Sequence, residues 1–151
     1  MLQLNVFDLI FVICAVLFNL LIAGIFVAQK HERARLVRAL GISWLSLAIP
    51  LAVVFISYIT LRRHQLVYFG LIFLYIIVEF LLDYVLKIEF RKKLITHVPY
   101  IILEYIALFS FIGISFDIDR TWGIIVSVCF WILMGSLIYL YRGRKKVEDK
   151  K

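Results

Sequence analysis

The feature that most constrains this chain is a succession of long apolar runs with almost nothing between them. A helix needs about 20 apolar residues to cross the hydrocarbon core of a bilayer. Five stretches qualify, at approximately Val6–Ala28, Ile42–Leu61, Leu66–Leu86, Leu94–Phe116 and Trp122–Tyr141. None alternates as a barrel strand does, and all are too long for one. A soluble core cannot absorb this surplus. Of 151 residues, 64% are hydrophobic, against about 45–50% in a soluble domain, and a domain of this size leaves about a third of its surface exposed. The mean hydropathy is +1.01. The sequence therefore predicts an all-α integral membrane protein, a single bundle of five transmembrane helices with no internal repeat. The first run is too long for a signal peptide and has no basic residue before it, so it reads as a retained first helix.

Charge placement assigns an orientation. The connections Gln29–Gly41 and Lys87–Lys93 hold four Lys or Arg each, and the tail 142–151 holds six. The N-terminal segment, Arg62–Gln65 and Asp117–Thr121 together hold three. Fourteen of seventeen basic residues thus fall on alternate connections, which by the positive-inside rule predicts the N-terminus outside and the C-terminus cytosolic in a cell membrane. Trp44, Tyr84, Tyr100, Tyr139 and Tyr141 then fall near cytosolic ends, and Tyr58, Tyr68 and Trp122 near outer ends, as an aromatic belt would. Trp131, Tyr75 and Tyr105 lie deeper and read as packing between helices or lining a cavity.

The net charge of +7 does not point to nucleic acid, because the basic residues sit in short clusters beside apolar runs rather than forming one patch. Lys30–Arg38 reads as a short basic helix on the inner leaflet, in reach of anionic lipid. Cys14 and Cys129 lie singly inside apolar runs and form no metal or redox motif; they read as small buried hydrophobes.

In lipid the informative residues are the polar ones, since a charge at the bilayer centre costs at least about 2.5–3.5 kcal/mol. Glu79 and Asp83 stand four apart in the third helix, on one face. Glu104 stands deeper in the fourth helix, with His97 two turns away on the same face. The short connection between these helices makes them an antiparallel hairpin. Glu79 then matches Glu104 in depth, and Asp83 matches His97, in the cytosolic half of the membrane. Asn19 of the first helix falls at similar depth. Pro50 kinks the second helix or frees a backbone carbonyl for a ligand. Asp8 reads as a solvated or capping residue, and Asp117 and Asp119 as solvated turn residues.

Two carboxylates close together in low dielectric must be protonated, share a proton or hold a cation. Glu79, Asp83, Glu104, His97 and Asn19 are therefore the candidate ligand- or ion-binding residues, and Glu79, Asp83, His97 and Glu104 the candidate metal ligands. This pattern suits a transporter or binding protein for a proton, a metal or a small cation, acting as a homo-oligomer because five helices are few for one pathway. Buried acids can instead serve as hydrogen-bonding glue between helices. The alternatives are a membrane-embedded enzyme on a lipid-linked substrate and a non-catalytic scaffold. HExxH, GxSxG and P-loop signatures are absent, and no cofactor is implied.

Overall fold

The computed structural model describes the backbone of residues 5–61, 65–85 and 94–148, and the side chains of the same stretches apart from 60–61, 83–84, 94–98 and 141–148. Every element in it is helical: α1 Val6–Lys30, α2 Ala34–Ser46, α3 Ala48–Leu61, α4 Leu66–Phe80, α5 Leu94–Ile118 and α6 Arg120–Glu148. A π-helical turn, Leu81–Val85, continues α4. Four segments are long and apolar enough to cross a membrane: Val6–Lys30, Ala34–Ile59, Pro99–Ile118 and Arg120–Leu140. The α-helical part of α4 is shorter, at 15 residues. Its π turn extends the continuous helix to Val85. These helices are compatible with a membrane location.

Side-chain contacts fix how the helices run. Tyr58 bonds Asp8 and Gln65 bonds Asp117, which gathers the start of α1, the end of α3, the start of α4 and the end of α5 at one end. Lys30 bonds the Tyr139 carbonyl at the other. So α1, α4 and α6 run one way, and α2, α3 and α5 run back. α1 is the central helix, packing on α2, α3, α5 and α6. Phe11, Ala15, Phe18 and Ile22 recur at helical spacing along it and are all buried, as a core-facing stripe should be.

The connections are shorter than the charges suggested. The expected loop Gln29–Gly41 contracts to His31–Arg33, with Glu32 in the left-handed region at φ 54°. The basic segment is helical, but it is the leading half of one long rod with the second apolar run and not a separate surface helix. Lysine and arginine do not end a helix; their long stems let the charge reach water while the backbone continues. The rod is interrupted at Leu47, whose amide bonds Trp44 one residue short of α-helical spacing. Pro50 explains the interruption, since it has no N–H for the Ser46 carbonyl and its ring crowds that residue. Likewise Asp117–Thr121 reduces to the single non-helical Asp119, whose carboxylate caps the Thr121 amide at 2.7 Å. α6 continues helical into the expected tail.

The aromatic belt holds only in part. Tyr68 and Tyr139 are exposed, but Trp44, Tyr58 and Tyr100 are buried. Trp44 lies well inside a rod that begins at Ala34, so it never reaches an end. Trp131, expected between helices, is 70% exposed. Cys14 and Cys129 are buried and unpaired, as small hydrophobes would be.

Candidate functional site

The strongest polar cluster inside the bundle lies between α4 and α5. Each helix carries a Tyr and a Glu four residues apart, Tyr75 and Glu79 on α4, Tyr100 and Glu104 on α5. In an α-helix that spacing stacks both groups on one face. The two helices are antiparallel, so the pairs face each other head to tail. The Tyr75 and Tyr100 hydroxyls are 3.2 Å apart, and their rings lie 5.9 Å apart at 45°. The Tyr100 hydroxyl also hydrogen-bonds the Glu79 side chain. Glu104 acts electrostatically on Tyr75, Tyr100 and Tyr105. Both phenols of the pair are buried, at 2% and 7% exposure.

Depth matching had set Glu79 against Glu104. The structure instead sets Glu79 against Tyr100, with Tyr75 one turn along α4 and Glu104 one turn along α5. Both acids share the cluster through the phenols between them. The local sequences are Tyr75-Ile76-Ile77-Val78-Glu79 and Tyr100-Ile101-Ile102-Leu103-Glu104. The expectation of no internal repeat therefore fails at the scale of five residues. That repeat is the signal that singles out Tyr100, which position alone had assigned to the belt.

The remaining sequence candidates behave differently. Asn19 is fully buried, but its amide donates to Ala15 of its own helix at 2.9 Å, and its Oδ1 has no partner among the described residues. The side chains of Asp83 and His97 lie outside the described residues. A π turn begins at Leu81, two residues after Glu79. Among the described residues, no group of three or more His, Cys, Asp and Glu side chains forms a metal-sized cluster.

Rings enclose the cluster on the α1 side. Tyr75 meets Phe18 at 6.1 Å and the Trp44 ring at 5.8 Å, edge to face. The Trp44 indole nitrogen is buried and has no hydrogen-bond partner among the described residues. From Tyr75 the ring contacts continue without a break through Phe18, Phe111, Phe11 and Phe69 to Tyr58. The four phenylalanines between the two tyrosines carry no hydrogen-bonding group, so they form an apolar plug. Beyond it lies the second polar contact, Tyr58 with Asp8. Asp8 was expected to be solvated or capping, but it is buried at 4%. Its place in the first turn of α1 still suits an anion, because the free N–H groups and the dipole of a helix start favour negative charge.

Comparison of the chain with protein-family models, curated proteins and solved structures finds no match. The reading of function therefore rests on the cluster itself.

Proposed function

We propose that this protein is a five-span protein of the cell membrane, N-terminus outside and C-terminus cytosolic, that handles protons at the Glu79–Tyr100–Tyr75–Glu104 cluster, alone or coupled to a small cation. The observation that carries this reading is the hydroxyl of Tyr100, bonded at once to Glu79 and to Tyr75. Glu79 and Glu104 are half-buried in the protein, and a carboxylate held among apolar helices is tolerated when it is neutral or hydrogen-bonded. Among the described residues, this cluster offers its acids phenols, which carry a transferable proton. Two acids in one such cluster repel each other when both are ionised, so the cluster holds and releases protons readily. The apolar plug closes the cluster toward the Asp8 end, which supports access from the opposite, basic end.

That basic end also supports an association with anionic lipid. Arg35 and Arg38 line a shallow surface groove with Ala34, Ala39 and Ile42, and pairing two guanidiniums with an apolar wall suits a lipid phosphate. A homo-oligomer remains part of the proposal, since one chain offers few helices for a pathway.

The test is proton uptake by liposomes containing the purified protein, followed with a trapped pH-sensitive dye under an imposed potential. Uptake above that of empty liposomes is expected, with a loss of about a hundredfold in Glu79→Gln. Uptake equal to that of empty liposomes, with no pH-dependent cation binding, would sink the proposal.

A further inference from the structure

The pentapeptide Tyr-Ile-Ile-x-Glu occurs twice, 25 residues apart, on helices of opposite direction. Opposed in this way, the two copies run head to tail across the hairpin. The phenols meet at 3.2 Å, Glu79 is hydrogen-bonded to Tyr100, and Glu104 acts electrostatically on both phenols. Proceeding from the proton-handling reading above, we propose that a proton passes between Glu104 and Glu79 through the hydroxyls of Tyr75 and Tyr100.

The chemistry balances group by group. A phenol has one proton to give and lone pairs to receive one, and an ionised carboxylate only accepts. With Glu79 ionised, Tyr100 donates to Glu79 and must accept from Tyr75. Tyr75 in turn takes the proton of a neutral Glu104. Transfer along this line breaks three O–H bonds and forms three. It leaves Glu104 ionised, Glu79 neutral and both phenols intact. The hydrogen bonds then point the opposite way, which sets the line for the return step.

The experiment compares Tyr75→Phe and Tyr100→Phe with Glu79→Gln in the liposome assay, with infrared difference spectra of the wild-type protein between acid and neutral pH. Both phenylalanine variants keep the ring and lose the hydroxyl. Each is expected to lose proton uptake by about a hundredfold. In the wild type, the protonated-carboxyl band and the tyrosine C–O bands are expected to change together over one pH range. Phenylalanine variants within about twofold of wild type, beside an inactive Glu79→Gln, would overturn the relay and leave proton handling intact. Wild-type protein without uptake would overturn both. Should the variants fail to fold, the infrared data decide alone: tyrosine bands unmoved while the carboxyl band titrates would overturn the relay.

Discussion

The bundle contains two acid–phenol contacts at opposite sides of its apolar plug, and they are built differently. Among the described residues, Asp8 with Tyr58 sets one acid against one phenol. The acid sits in the first turn of α1, and the phenol is wedged on Phe69 at 5.4 Å. The α4–α5 cluster has two acids and two phenols, all within continuous helix and away from its ends. No single arrangement of protons satisfies both acids as anions at low cost. The first contact is a clasp joining α1 to α3, and the second is the group proposed to exchange protons. Phenol and carboxylate are common to both; what separates them is how many acids must share the protons present.

The comparison breaks most directly on activity. Glu79→Gln is expected to lose about a hundredfold in proton uptake while keeping its thermal stability in detergent, because an amide fills the same volume and needs no charge stabilised. Asp8→Asn is expected to leave uptake within about twofold. If Asp8→Asn abolishes uptake in a folded protein, the clasp belongs to the pathway and the distinction is wrong.

Stability should show the reverse. Tyr58→Phe removes the donor to a buried carboxylate, which costs about 1–3 kcal/mol and should appear as a lowered unfolding temperature. Tyr75→Phe should cost less, about 1 kcal/mol, because its hydroxyl meets the hydroxyl of Tyr100. Equal losses in the two variants would show that the α4–α5 cluster is glue of the same kind as the clasp. At the clasp end, Gly123 tests how closed that end is. A Cβ there would come within 2.4 Å of the Phe116 ring, so Gly123→Ala must swing that ring aside. The expected cost is about 1–2 kcal/mol with uptake unchanged, read from the same melting curves.

Much of this arrangement was legible in the sequence, and the failures share a cause. Apolar run length found the helices, and the alternation of basic connections suggested which ends belong together. The helix limits were misplaced wherever a charge was read as the end of a helix. Arg35 and Arg38 mark where a helix leaves the apolar layer, and α2 began eight residues earlier than expected, at Ala34 and not Ile42. That error carried Trp44 into the belt. Tyr100 was misjudged similarly, because counting from the end of an apolar run gives depth and says nothing about which way a side chain faces. The acids on α4 and α5 stood out because charge in lipid is costly. Their phenol partners did not, since tyrosine is ordinary both in cores and at interfaces. Only the repeated Tyr-x-x-x-Glu spacing on neighbouring antiparallel helices distinguishes them, and that needs the hairpin to be recognised first.

The smallest expected effect concerns the end opposite the clasp. Lys30 donates to the Tyr139 carbonyl at 3.0 Å and lies over the Tyr139 ring, tying the end of α1 to α6. Both residues are partly open to their surroundings, so the contact is worth about 0.5–1 kcal/mol. Lys30→Gln should lower the melting temperature slightly, and by less than Tyr58→Phe does. If the open, basic end is where protons enter the α4–α5 cluster, it must also be the looser end. Loosening it further by Lys30→Gln should leave proton uptake unchanged or slightly faster, whereas Tyr58→Phe at the closed end should leave it unchanged. A loss of uptake in Lys30→Gln without loss of fold would mean that this cation takes part in proton entry. The two ends would then differ in chemistry as well as in tightness.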